Sequence, residues 1–91
     1  MNEDDSKNEQ NIKTHNVSFY EAQKDFADTN RIILTDETHS QSEAKYYCIG
    51  KVTDGRVTIR FTYRNEIIRI IGAGYWRKGK KIYEEENKIY E

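Results

Sequence analysis

Apolar and polar positions change their period twice along this 91-residue chain. From Asp4 to Thr14 polar residues dominate, with acidic side chains leading, Lys13 trailing and Ile12 the only clear apolar residue. That polarity suits the helix dipole and predicts a helix, which stops at His15-Asn16 because Asn accepts the left-handed conformation that ends many helices. Ser18-Phe19-Tyr20-Glu21 then reads as a capping box. Phe19, Ala22 and Phe26 follow at spacings of three and four, so a second short amphipathic helix is predicted to about Ala27, ended by Asp28-Thr29-Asn30.

From Arg31 onward the period becomes that of strands. Ile32, Ile33 and Leu34 form a short apolar run ahead of the polar loop Asp36 to Ser42. Lys45 to Val52 is rich in Tyr and Ile. Arg56 to Arg64 alternates strictly, with Val57, Ile59, Phe61 and Tyr63 on one face and Arg56, Thr58, Arg60, Thr62 and Arg64 on the other. Asp54-Gly55 is a strong hairpin signal, and a second tight turn at Asn65-Glu66 leads into a strand from Ile67 to Ala73.

Beyond the strands, Tyr75/Trp76, Ile82/Tyr83 and Ile89/Tyr90 recur every seven residues, which places them on one face of a C-terminal helix; that face docks on the sheet or, on the alternative reading, in part meets a partner chain. The predicted fold class is α+β. Two N-terminal helices pack on one face of an antiparallel meander of about four strands, followed by the C-terminal helix. There are no prolines, repeats or linker-like segments, so residues 1–91 read as one domain.

Composition sharpens this picture by exclusion. At 35% apolar and 34% charged residues, with a mean hydropathy of −1.03, the chain sits near the lower limit for a self-sufficient core, and a partner or oligomer is a natural source of extra burial. No apolar run is long enough for a membrane span or signal peptide, so a cytoplasmic protein is expected. One cysteine, Cys48, excludes an internal disulfide and reads as a small core residue; with only His15 and His39 beside it, no metal site and no cofactor are expected.

The net charge of −1 conceals a strong polarisation. Residues 1–43 carry four basic and ten acidic groups, residues 44–81 ten basic and two acidic, and residues 82–91 one basic and four acidic. The middle segment can therefore present a positive surface on a neutral molecule.

The polar face of the alternating strand lines up Arg56, Arg60 and Arg64 at intervals of about 13 Å, roughly twice the spacing of single-strand phosphates. Lys51, Arg69, Arg77, Lys78, Lys80 and Lys81 add charge nearby, and Tyr75 and Trp76 can stack bases, a combination that suits single-stranded RNA. A solvated sheet face accounts for the same Arg and Thr alternation equally well. His39, in a loop with Asp36, Ser40 and Glu43, suits a general acid or base near a ribose hydroxyl, and equally a surface role. His15 reads as structural, favoured by the end of its helix. No P-loop, dinucleotide fingerprint or nucleophile elbow is present.

The ordered set of residues resembles the BrnT family of bacterial toxins. Asp4 and Lys7, then Asn11-Ile12-Lys13-Thr14-His15-Asn16-Val17-Ser18-Phe19-Tyr20-Glu21-Ala22, are similar to that family's opening. Asp36-Glu37-Thr38-His39-Ser40 with Glu43, Ile49-Gly50, Gly55-Arg56, Tyr63-Arg64 and Ile68-Arg69-Ile70-Ile71-Gly72-Ala73 follow in the family's order, covering about residues 4–86. The sequence departs from the pattern at Met1-Asn2-Glu3, where an aromatic-rich start is usual, at Asn16 in place of Gly, and at Gly74 in place of a basic residue.

The resemblance implies a RelE-like type II toxin, a ribosome-independent or ribosome-associated ribonuclease, and with it we expect a metal-independent endoribonuclease that inhibits translation. It also implies a BrnA-like antitoxin with a ribbon-helix-helix DNA-binding part, through which alone the toxin reaches operator DNA. On that reading Arg64, Arg69 and Arg77 stabilise charge on the phosphate, Arg77 standing in for the basic residue lost at Gly74, and His39 or a tyrosine moves the proton. The remaining basic and aromatic residues named above hold RNA. The rival reading is a non-catalytic module whose basic face holds an acidic protein partner.

Overall fold

The computed structural model describes residues 3–38 and 42–89. The chain runs α1 (Glu3–His15), α2 (Phe19–Ala22), a 3-10 helix (Gln23–Ala27), β1 (Ile32–Thr35), β2 (Lys45–Val52), β3 (Gly55–Arg64), β4 (Ile67–Gly74) and α3 (Arg77–Glu86). The four strands form one antiparallel sheet in sequence order, an α+β architecture as the patterning predicts.

Local signals set most of these boundaries. Asn16 closes α1 at φ 57° while its N–H donates to the Ile12 carbonyl at 2.9 Å, the left-handed stop that Asn permits. The Ser18 hydroxyl accepts from the Glu21 N–H at 3.0 Å and starts α2. The predicted helix to Ala27 does not continue as one α-helix: after four residues it tightens into the 3-10 segment, which puts Asp25 rather than an apolar residue fully inside.

Both hairpin turns sit close to their predicted places, for different reasons. Asn65 and Glu66 both take positive φ, 53° and 65°, the pattern that matches the twist of the flanking strands. At the other turn the central residues are Thr53 and Asp54, because Val52 already pairs with Gly55. Thr53, not the glycine, carries the positive φ of 56°. Gly55 is needed for space: a Cβ there would lie 2.7 Å from Cε1 of Tyr75.

The two sheet faces bury different partners. On one, Val57, Ile59 and Phe61 join Cys48, Val52 and Ala73 beneath Val17 and Ala22, with Phe26 edge-on to Phe61 at 5.1 Å between ring centroids. The Gly50 position meets the Asp25 backbone at 2.9 Å, so the 3-10 helix lies directly on this face. On the other face α3 rests on Thr58 through Gly79, with Tyr83 buried and Ile49 fully enclosed. The helices therefore do not share one face. Residues adjacent along a strand point to opposite sides, and because Ile49 and Thr58 lie opposite the main core, the Tyr83 stripe has an apolar landing site only there. The stripe is also shorter than its seven-residue period suggests: α3 ends at Glu86, and Lys88 turns at φ 58° so that the Ile89 N–H reaches the Glu84 carbonyl at 2.8 Å. Tyr90 lies outside the described residues.

Candidate functional site

The Arg-bearing face of β3 is divided by α3. Arg56 lies beneath that helix, its guanidinium 5.3 Å from the Tyr83 ring centroid and 3.9 Å from a Glu84 carboxylate oxygen, with only 10% of the side chain exposed. Thr58 and Thr62 are buried too, Thr62 donating its hydroxyl to the Ala44 carbonyl at 2.7 Å. What remains open on this face begins at Arg60.

Arg60 is anchored from below. Its Nε lies 3.5 Å from Oδ2 of Asp36, a carboxylate only 4% exposed, which is itself fixed by the Asp36 N–H donating to the Lys45 carbonyl at 2.8 Å. The Tyr47 hydroxyl also hydrogen-bonds Asp36; desolvation first, and then that negative partner, hold the phenol above its ordinary pKa. Tyr47 in turn leans on Trp76, with ring centroids 5.6 Å apart and planes at 31°. Asp36 thus orients both the cation and the phenol beside it.

Opposite Arg60 stands the C-terminal end of α1. Asn11 stitches that helix to the outer edge of β4: its amide donates to the carbonyls of Val17 and Ala73, each at 2.8 Å, and accepts from the Ala73 N–H at 3.1 Å. His15 is four residues further on and so projects from the same helix face. Its ring lies over Gly74, where an added Cβ would be 3.3 Å from both Cγ and Nδ1.

Between these walls runs a groove of about 430 Å³, floored by Gly72, Ala73 and Gly74, walled by His15 on one side and by Tyr47 and Arg60 on the other, and closed at one end by Tyr75 and Trp76. The absence of bulky side chains on its floor is what opens it. Chemically it joins an imidazole, a fixed guanidinium and exposed aromatic surface, enough to bind a phosphodiester and move a proton.

The residues singled out from sequence do not gather at one place. Thr58, beside the groove, and Arg64 are six residues apart on β3, about 20 Å along the strand. Arg64 pairs there with Glu43, Nη2 to Oε1 at 3.3 Å, and that hydrogen bond is the main reason the Glu43 carboxyl is held below its ordinary pKa. Arg77 opens α3 at the other end, beyond Trp76. Arg64 and Arg77 therefore cannot clamp the same phosphate. Arg69, paired opposite Thr62, sits on the same face between Arg60 and Arg64.

Lys51 is exposed at the end of β2, opposite Arg56. Lys78 lies 5.9 Å from the Trp76 ring centroid, and Lys80 and Lys81 face Glu84 and Glu85 at 4.0 Å. His39 lies outside the described residues. The residues missed in sequence are His15, Tyr47 and Asn11. The signal for the first was present, since the Asn and His of the opening motif are spaced to share a helix face.

At the β3–β4 hairpin the surface turns apolar. Tyr63, Ile67 and Ile68 are 53%, 69% and 40% exposed, beside the half-buried Phe19 and Ile70. Among the described residues no helix is long and apolar enough to cross a membrane.

No curated protein matches the chain. The family model described as ribonuclease toxin, BrnT, of type II toxin-antitoxin system matches residues 3–79, a span that contains α1, the whole sheet and both walls of the groove. The chain belongs to the BrnT family of ribonuclease toxins of type II toxin-antitoxin systems.

Proposed function

We propose that this RelE-like chain is a metal-independent endoribonuclease of the cytoplasm, a single domain that cleaves RNA in the His15–Arg60 groove and so inhibits translation. The observation that carries the reading is that His15 and Arg60 line the same groove. His15 takes the proton from a ribose 2′-hydroxyl as its oxygen bonds to the adjacent phosphorus. The P–O5′ bond breaks, and the departing 5′-oxygen takes a proton from solvent, leaving a 2′,3′-cyclic phosphate. Arg60, held by Asp36, stabilises the negative charge gathering on the phosphate. A base, a fixed cation and a positioned 2′-hydroxyl suffice for this reaction.

A type II toxin has an antitoxin partner. We assign it the BrnA-like, ribbon-helix-helix kind, which carries the toxin to operator DNA. The apolar hairpin surface at Tyr63, Ile67 and Ile68, bordered by Arg64 and Arg69, supports an amphipathic acidic segment as what that antitoxin lays on this end.

The test is incubation of the purified chain with a long unstructured RNA in EDTA. Wild type yields fragments ending in cyclic phosphate, and the double variant His15→Ala, Arg60→Ala yields none. Cleavage that persists in the double variant would remove the groove from the mechanism. If wild type itself leaves RNA intact with and without added ribosomes, the non-catalytic binding module replaces the enzyme.

A further inference from the structure

The two aromatic residues that close the groove also wall a second hollow. Tyr75 and Trp76 stand as a ridge: on one side is the His15–Arg60 groove, and on the other a space of about 370 Å³ reached by Arg77 and Lys80 over the Asp54-Gly55 turn. Both volumes are in the range that accepts small polar ligands.

The two rings of the ridge are not equally open, and Tyr75 is the freer one. Tyr75 lies against Gly55, whose missing Cβ would be 2.7 Å from Cε1, yet the residue is 60% exposed. Trp76 has Tyr47 packed against it and Lys78 over its ring, and remains 39% exposed. The cations of the second hollow are unequal. Arg56 and Lys80 both reach Glu84, at 3.9 and 4.0 Å, so their charge is largely answered within the protein. Arg77 is exposed and makes no hydrogen bond or ion pair among the described residues. An exposed aromatic beside an unanswered guanidinium is the pairing that holds one nucleotide, base on ring and phosphate on charge.

We infer that the second hollow is a nucleotide subsite: RNA crosses the Tyr75–Trp76 ridge with the scissile step in the His15–Arg60 groove and a flanking nucleotide beyond it, stacked on Tyr75 with its phosphate on Arg77. This rests on the RNA-cleavage reading and narrows its substrate. A base turned onto Tyr75 is withdrawn from the stack of an A-form duplex, so the strand crossing the ridge is unpaired. The toxin thereby requires single-stranded RNA at least one nucleotide longer than the cleaved step, and Arg77 acts in holding the strand rather than at the reacting phosphate.

Trp76 is the chain's one tryptophan, so its fluorescence reports occupancy of the ridge. The probes are uridine 3′-monophosphate and a 2′-O-methyl uridine trinucleotide, which fills the site without being cleaved. Wild type binds the trinucleotide at least tenfold more tightly than the mononucleotide. Arg77→Gln and Tyr75→Ala each bring the trinucleotide to within threefold of the mononucleotide, and Arg77→Gln, outside the cleavage groove, leaves mononucleotide affinity and melting temperature unchanged. An equal gain in both variants, or no gain in wild type, overturns the subsite. Wild type that cleaves long RNA in EDTA while showing no gain would overturn the subsite and leave the cleavage reading standing; wild type that neither cleaves nor binds either probe overturns both.

Discussion

The hydroxyl of Tyr83 donates a 2.6 Å hydrogen bond to Oδ2 of Asp28, joining α3 on one face of the sheet to the connection that leaves the other. The same oxygen accepts the Lys51 N–H at 2.8 Å, and Oδ1 accepts the Asn30 N–H at 2.9 Å. Burial works against the Asp28 charge, but the bonds from Tyr83, Lys51 and Asn30, helped by Arg56, outweigh it and hold its pKa below the ordinary value. Tyr83→Phe keeps the packing and removes one of these bonds, so a loss of about 1–2 kcal/mol is expected at pH 7 in urea unfolding. A depressed carboxylate stabilises the fold above its unfolded pKa, and that contribution is lost as pH falls through the folded pKa. The gap between wild type and Tyr83→Phe therefore closes on acidification; a gap that stays constant down to pH 2 would contradict this assignment.

Asp25 makes the opposite prediction. It is fully buried, and no side chain among the described residues hydrogen-bonds its carboxylate, which has only the Gly50 N–H to oppose the loss of solvent. Desolvation first, then the nearby charge of Asp28, push its pKa up to about 8. The folded state thus holds a proton that the unfolded state releases near the ordinary value of 3.8. Stability from this group is full below the unfolded pKa and falls as pH rises from about 4 to 8, by an amount on the order of a few kcal/mol. Asp25→Asn, neutral throughout, flattens that decline in denaturant titrations at pH 5 and pH 8. Cys48, also buried and near Asp25, has a thiol raised to about 12, first by burial and then by that carboxyl. It stays unreactive to thiol reagents until the protein unfolds.

Two backbone positions respond in opposite directions. A Cβ at Gly79 would overlap the Thr58 hydroxyl beneath α3, so Gly79→Ala forces the helix off the sheet and costs about 1–3 kcal/mol. Thr53 holds φ 56° with a branched side chain. Thr53→Gly releases that strain and raises stability by about 1 kcal/mol. Thermal melts of the two variants shift to either side of wild type.

In the proposed mechanism the arginines of β3 are not equivalent. Arg60→Ala removes the guanidinium from the groove and lowers cleavage about 10²–10³-fold. Arg64→Ala, about 20 Å from the Thr58 end and bound to Glu43, lowers it less than threefold and instead weakens antitoxin binding. Single-turnover cleavage together with antitoxin titration separates the two. Equal loss of cleavage in both variants would return Arg64 to the catalytic group.

Gly74 offers a direct check on the groove. Its missing side chain leaves the space beneath the His15 ring. Gly74→Leu fills that space and lowers RNA cleavage at least tenfold while stability changes little, since β4 is an edge strand. Unchanged cleavage would place the reaction elsewhere.

Whatever depends on neighbours along the chain was legible from residue order. Alternation placed Val57, Ile59 and Phe61 on the core face, Ser18 and Asn16 marked helix ends, and Asn65-Glu66 marked a turn, because period, capping and positive φ are local properties. The family too was legible, as ordered residue types along one line. Tertiary structure alone decided which face α3 covers, and with it which arginines remain open. Arg56, Arg60 and Arg64 are alike in sequence, yet one lies under Tyr83, one is held by Asp36 beside a groove and one is bound to Glu43. His15 and Arg60 are 45 positions apart in the chain and become neighbours across the groove only because the Asn11 amide pins α1 to the edge of β4. No local pattern carries that, since the free edge to which Asn11 bonds exists only once the sheet has formed.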